Sequence, residues 1–172
     1  HDLGYGNRVV HIPAGPEIPL KKEELYKFVP DYVQGILEFS KNKDIKYDLI
    51  HSHYWMSGIA AIELQKSWNI PFVHMFHTLG VMKQRVAREN EEIEGEYRIS
   101  GEKEVLNHAN RIIAATQAEV AQLLWLYQAD TNNVVVIPPG VDLCHFYPIP
   151  SDEAKEFIKV PVCNRMLLYV GR

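Results

Sequence analysis

Short runs rich in β-branched and aromatic residues alternate with longer runs of helical periodicity, and this alternation constrains the fold more than any other feature. The short runs predict strands at 8–12, 47–51, 71–76, 111–115, 134–137 and 166–170. The longer runs predict helices at 22–43, 57–68, 88–109, 117–127 and 151–159. Since strands that alternate with helices form parallel sheets, the sequence predicts an α/β fold, a Rossmann-like parallel sheet flanked by helices.

Single residues refine these elements. Pro30 is expected to kink or split the helix at 22–43, because its ring clashes with the preceding turn. Thr116 is expected to cap the helix at 117–127, with Glu119 three residues later completing a capping box. Gly95 and Gly101 weaken the expectation that the helix at 88–109 is continuous.

The charge and hydropathy patterns exclude several classes of protein. The net charge is −4 and no basic block occurs, which argues against a nucleic-acid surface. No apolar run approaches the ~20 residues of a membrane-spanning helix, although a peripheral membrane contact stays open. The sequence also leaves the oligomeric state open.

The cysteines and the first residues suggest a compartment and a starting point. Cys144 and Cys163 lack CxxC spacing, so we expect two buried or half-buried thiols in a reducing, cytoplasmic compartment. The chain opens on His1 in a loop-like segment without a signal peptide, which predicts a start inside a domain.

Two polar clusters follow neighbouring predicted strands. The first is the run HSHYW at 51–55, with Gly58 expected to open the next helix and to present free N–H groups to an anion. The second is the run HMFHTLG at 74–80, in which His77 and Thr78 occupy the matching position one strand later. Ligands of parallel sheets bind outside the carboxyl ends of the strands. The sequence therefore predicts a functional site near His53 and His77.

Several other patterns have a structural interpretation. Glu94 and Glu102 are eight residues apart, as are Glu96 and Glu104, and we interpret this acidic helix as a solvated face. The segment 136–142, VIPPGVD, is expected to form a rigid corner between domains, because its prolines restrict the backbone.

The histidines allow an alternative chemistry. His51, His53, His74 and His77 are four potential imidazole ligands at neighbouring strand ends, although no nearby carboxylate clearly completes a metal site. A metal-dependent hydrolase is thus one alternative function. A non-catalytic binding domain of the same fold is another.

Taken together and in this order, the motifs resemble those of the retaining glycosyltransferases with two Rossmann-like domains, the GT-B architecture. The closest resemblance is to family 4-like enzymes, in the branch of the D-inositol 3-phosphate glycosyltransferases and sucrose-phosphate synthases. The segments that carry it are 48–55, 71–80, 109–116, 136–142 and 146–148, with similar residues at 14–16 and 22–25.

The resemblance implies roles for matching residues. His77 would lie beside the transferred sugar as a catalytic residue. Lys22, Tyr54, Thr78 and Arg98 would bind a small, phosphorylated sugar or sugar-like acceptor. No metal and no cofactor are implied for this chain.

The resemblance also implies a domain organisation and a reaction. Residues 1–148 would form part of the N-terminal acceptor-side domain, and 149–172 a linker and the first strand of a truncated donor-binding domain. The parent enzyme would transfer a hexose, with retention of configuration, from a nucleotide-sugar such as a UDP-sugar. The missing domain would bind that donor, so the chain alone would be inactive.

Overall fold

Parallel strands form the main sheet of this computed structural model, which describes residues 1–87 and 95–170. A short antiparallel pair comes first in the chain, β1 (Asp2–Gly4) with β2 (Asn7–Arg8). The main sheet follows in the order β3 (Ile50–His53), β4 (Phe72–Met75), β5 (Arg111–Ala114) and β6 (Val134–Val136). Each neighbouring pair in this sheet is parallel, as the alternating sequence pattern predicts.

Helices connect and flank these strands. They are α1 (Lys22–Leu25), α2 (Val29–Asn42), α3 (Trp55–Trp68), α4 (Gly80–Val86), α5 (Glu96–His108), α6 (Gln117–Tyr127) and α7 (Ser151–Phe157), with 3₁₀ turns at Tyr26–Phe28 and Thr131–Asn133. No helix in the described ranges is long and apolar enough to cross a membrane. The parallel main sheet and the helices that flank it confirm the predicted Rossmann-like α/β fold.

Local sequence signals explain several helix ends. Pro30 lies in the first turn of α2, where a missing N–H costs nothing, so the predicted helix at 22–43 is split just before it. Thr116 caps α6, since its hydroxyl accepts a hydrogen bond from the Glu119 backbone N–H at 3.2 Å. The Glu119 carboxylate accepts from the backbone N–H of Ala115 at 2.7 Å, one residue before the cap.

Three expectations about elements were wrong. Within 8–12 only Arg8 belongs to a strand, and 166–170 form no strand. The helix expected from residue 57 begins at Trp55, which places Gly58 inside α3 rather than at its start. Of the helix expected at 88–109, the structure describes Glu96–His108, and 88–94 lie outside the described residues.

Glycines allow α3 and α5 to pack closely against each other. A Cβ atom added at Gly58 would lie 2.6 Å from Val105 Cγ2, and one added at Gly101 would lie 2.8 Å from Trp55 Cε3. Trp55 and Val105 are both buried in the largest apolar cluster. These two helices thus approach closely because glycines stand at the contact.

The chain divides into two compact units, His1–Pro138 and Pro139–Arg172. In the second unit, Asp142 accepts a hydrogen bond from the Cys144 backbone N–H at 2.9 Å and contacts His145 Nδ1 at 2.7 Å. These bonds lower the pKa of Asp142. Cys144 and Cys163 are exposed free thiols, so the expectation that they are buried or half-buried was wrong.

Candidate functional site

The carboxyl ends of β3 and β4 lie side by side and continue into strained backbone. His53 pairs with Met75 in the sheet, and the Tyr54 N–H donates to the Met75 carbonyl oxygen at 3.0 Å. Tyr54 has φ 71° and ψ 144°, and His77 has φ 62°. Positive φ at a non-glycine residue costs of order 1–3 kcal/mol and clusters at functional sites. The two predicted clusters therefore meet where the backbone itself is unusual.

The exposed histidines of the two clusters contact each other. His53 Nδ1 lies 2.8 Å from His77 Nε2, and the planes of the two rings differ by 23°. The His51 ring centroid is 4.2 Å from that of His53. The structure thus brings His53 and His77 together, as their strand positions predict.

His74 faces away from this row and into the core. It is fully buried, its Nδ1 lies 2.8 Å from Ser52 Oγ, and its ring contacts Phe76 edge-on. The four histidines therefore do not converge on one point. Within 1–87 and 95–170, no group of three His, Cys, Asp or Glu side chains is arranged to hold a metal ion.

Burial determines the protonation of His74. Removal from water lowers the pKa of this imidazole to about 3, with smaller contributions from His53, His51 and His77. The Ser52 hydroxyl lies 3.3 Å from the Val73 carbonyl oxygen and donates to it, so its oxygen is left to accept from His74 Nδ1–H. Nε2, which has no partner among the described residues, is then an unprotonated acceptor.

The buried His74 predicts acid sensitivity of folding. The folded-state pKa lies below the unfolded value of 6.5, so the unfolded chain binds more protons between about pH 6.5 and 3. The free energy of unfolding should be highest above pH 6.5 and should fall by a few kcal/mol through this window, at about 1.4 kcal/mol per pKa unit. When urea unfolding is measured across this pH range, the free energy of unfolding of His74→Gln should fall less steeply with decreasing pH than that of the wild type. The exposed His108→Gln is the control, and equal declines in all three proteins would contradict this prediction.

Two cations surround the Tyr54 ring. The Lys22 ammonium nitrogen lies 5.6 Å from the ring centroid, and the Arg98 guanidinium carbon lies 5.2 Å from it. The Tyr54 hydroxyl is buried and has no hydrogen-bond partner among the described residues. The family resemblance assigned five residues to the site. Three of them therefore lie together, since Lys22 and Arg98 both lie near the ring of Tyr54.

Arg98 is buried and joins this group to Thr78. Its Nη2 donates to the Thr78 carbonyl oxygen at 2.9 Å and to the Thr78 hydroxyl at 3.0 Å. Its Nε donates to Glu102 Oε1 at 2.8 Å, and neither side chain of this ion pair has exposed surface. Thr78 itself is exposed, as is His77 beside it.

Glu102 is a central acceptor of the buried network. Both of its carboxylate oxygens accept from the Gly80 backbone N–H at 3.0 Å, at the start of α4, and the Tyr127 hydroxyl also donates to it. Burial and this hydrogen bond raise the pKa of Tyr127. The interpretation of Glu102 as part of a solvated face was therefore wrong, although Glu96 and Glu104 are exposed and Glu94 lies outside the described residues.

Sequence reasoning missed Glu102 and Tyr127 as supports of the site. The available signal was the spacing of Arg98 and Glu102, which places opposite charges one helical turn apart. Tyr127 has no such signal, because it is 25 residues from Glu102 and reaches it only through the packing of α6.

Comparison with known proteins identifies the family. Residues 2–144 match the family described as Glycosyltransferase Family 4. The chain belongs to this family. Among family 4 relatives, D-inositol 3-phosphate glycosyltransferase of Kineococcus radiotolerans is 39% identical over 169 residues, which cover 97% of this chain and 39% of the relative. The protein of the same name from Actinosynnema mirum is 37% identical over 172 residues, which cover 99% of this chain and 41% of the relative.

Solved structures confirm the predicted GT-B-type fold. Sucrose-phosphate synthase from Thermosynechococcus elongatus matches with a TM-score of 0.71 and 30% identity, over 88% of this chain and 37% of that chain. Anabaena HepE in complex with UDP-glucose matches with a TM-score of 0.52 and 17% identity, over 74% and 32%, and shows the fold alone. The chain spans roughly two fifths of the length of the family 4 relatives that it matches.

Proposed function

We propose that this chain is the acceptor side of a retaining glycosyltransferase, which transfers a hexose from a nucleotide-sugar to a small phosphorylated acceptor. Family 4 membership supports the reaction class. The names of the relatives, with their inositol 3-phosphate substrate, support a phosphorylated sugar or polyol as the acceptor. A UDP-sugar as the donor is what the family resemblance implies, and HepE, which shares the fold, is a protein solved in complex with UDP-glucose.

The convergence of Lys22 and Arg98 on the Tyr54 ring is the observation that carries the phosphate assignment. The Lys22 ammonium and the Arg98 guanidinium both lie within 5.6 Å of the centre of this ring, although the buried Glu102 balances the charge of Arg98. The exposed Thr78 adds a hydroxyl that can donate to a phosphate, and the Tyr54 hydroxyl, buried here and without a partner among the described residues, would donate to it after turning towards the surface. Charge-assisted hydrogen bonds of this kind are about twice as strong as neutral ones.

The residues proposed to bind the acceptor substrate then fall into two groups, those that would contact its phosphate and those that would hold the contacting residues in place. Lys22, Tyr54 and Thr78 would bind the phosphate. Arg98, whose side chain has no exposed surface here, would act through Thr78, which it holds by two hydrogen bonds. A direct contact between Arg98 and the phosphate stays a prediction.

His77 would act on the transferred sugar. It is exposed at the end of β4, next to Thr78, so a bound acceptor would lie beside it. Its role would be to hydrogen-bond a sugar hydroxyl as charge develops in the transition state. Positioning of the acceptor and stabilisation of the departing diphosphate would supply most of the catalysis, with little acid–base chemistry from the protein.

The proposal includes a second domain. Residues 1–148 would belong to the acceptor-side domain, and 149–172 would lead into the domain that binds the donor. The exposed thiols of Cys144 and Cys163 suit a reducing, cytoplasmic compartment.

The experiment is a transfer assay with the full-length protein, using UDP-sugars as donors and inositol 3-phosphate or a hexose phosphate as acceptor. NMR of the first product formed should show the same anomeric configuration as the donor. An inverted product would overturn the retaining mechanism. Binding of donor and acceptor without any product would favour the non-catalytic binding domain.

A further inference from the structure

The contact between His53 and His77 has the geometry of a hydrogen bond within the plane of both rings. The 2.8 Å separation of His53 Nδ1 and His77 Nε2 lies within the range of a strong bond. The angle of 23° between the ring planes lets an N–H on one ring point along the lone pair of the other. His53 is the last residue of β3 and His77 lies two residues beyond the end of β4, so the pairing of these strands brings the two side chains to the same edge of the sheet.

This bond restricts the protonation of both rings. One nitrogen must carry a proton and the other must be bare, so two doubly protonated rings cannot form the bond. Partial removal from water is the main cause that lowers the pKa of His53, and the neighbouring His51 and His77 lower it further. The His53 ring is therefore neutral at neutral pH. Because Nε2 of His77 is engaged by His53, Nδ1 of His77 is the ring nitrogen left for another partner.

The orientation of His77 needs such a partner. Its side chain is exposed, so packing in the core does not hold the ring in one orientation. The hydrogen bond to His53 is a side-chain contact that fixes the ring plane.

We propose that His53 is a positioning residue of the transfer reaction, which orients the His77 ring and determines which of its nitrogens faces the substrate. The inference rests on the proposed function for its catalytic consequence. The orientation and tautomer of His77 do not depend on that function and are measured separately.

Three variants of the full-length protein test the inference. His53→Leu removes the hydrogen bond. His53→Asn restores it, since the Asn amide reaches about the position of the imidazole Nδ1. His51→Leu is the matched control. The His51 ring also lies next to the His53 ring, with 4.2 Å between the two ring centroids.

The first readout is the imidazole nitrogen spectrum of His77, measured by NMR on histidine-labelled protein without substrate. The wild type and His51→Leu should hold His77 in the tautomer that complements His53 at their contact, and His53→Asn, whose amide can donate or accept, should keep Nε2 of His77 hydrogen-bonded. His53→Leu should show exchange between both tautomers. The second readout is transfer kinetics. His53→Leu should lower kcat by roughly fivefold to tenfold, the equivalent of one neutral hydrogen bond, with smaller changes in both KM values. His53→Asn and His51→Leu should stay within about twofold of the wild type.

Each outcome decides a separate claim. An unchanged His77 tautomer and unchanged kcat in His53→Leu would overturn the inference. An equal loss in His51→Leu would also overturn it, because the effect would then belong to the whole histidine row. A wild type that transfers no sugar would overturn the proposed function instead, and the tautomer measurement would still decide whether His53 orients His77.

Discussion

Replacement of Glu102 with alanine is expected to lower the free energy of unfolding by about 3–5 kcal/mol. The Glu102 carboxylate accepts hydrogen bonds from Arg98 Nε, the Gly80 N–H and the Tyr127 hydroxyl, and none of its side chain is exposed. Its removal breaks a buried ion pair and takes away an acceptor shared by three donors, and breaking a buried pair by removing one partner costs more than the pair itself contributes. Urea unfolding of the full-length protein measures the change.

Glu104→Ala is the matched control for this prediction. Glu104 lies on the same helix, two residues further on, and is exposed. Its replacement should change the free energy of unfolding by less than about 0.5 kcal/mol. Similar losses from Glu102→Ala and Glu104→Ala would show that the buried network contributes no more than the solvated face of α5.

Replacement of His77 with alanine is expected to lower kcat of the full-length enzyme by ~100–1,000-fold, with a smaller change in the KM for the acceptor. A hydrogen bond that strengthens in the transition state is worth about 2.7–4 kcal/mol. Since the exposed His77 contributes little to the core, its loss should act on the reaction rather than on folding. Steady-state kinetics at equal folded fraction, checked by circular dichroism, measures the effect.

Thr78→Ala provides the contrast for His77→Ala. Its hydroxyl would hold the acceptor phosphate in the ground state and the transition state alike, so its loss should raise the acceptor KM and spare kcat. Arg98→Ala is a weaker test than the sequence suggests, because the buried ion pair with Glu102 would be broken at the same time. Near-normal kcat in a folded His77→Ala enzyme would contradict the catalytic role of His77.

The sequence predicts most of the fold because its main signals are local. Apolar periodicity locates the strands β3 to β6 to within a few residues, and the Thr116 cap gives α6 its observed start. The strand predicted at 166–170 does not form. A β-strand needs a neighbouring strand to pair with, and an apolar sequence alone does not provide that neighbour.

The site is predicted less completely because burial decides it. The strand-end rule locates His53, Tyr54, His77 and Thr78 correctly at one edge of the sheet. His74 shares that sequence neighbourhood, but the alternation of side chains along β4 turns it into the core. In α5 the local signal that distinguishes the buried Glu102 from the exposed Glu104 is Arg98 one helical turn earlier, and the many acidic residues around it obscure that signal.

The central claim is that the cationic surroundings of Tyr54 bind the phosphate of an acceptor. The most direct measurement compares transfer to inositol 3-phosphate with transfer to inositol, in the wild type and in Lys22→Ala of the full-length protein. We predict that the wild type prefers the phosphorylated acceptor in kcat/KM, and that Lys22→Ala loses at least about tenfold of this preference by a rise in KM, as expected for a charged hydrogen bond. Equal preference in both proteins, or no preference in the wild type, would contradict the account.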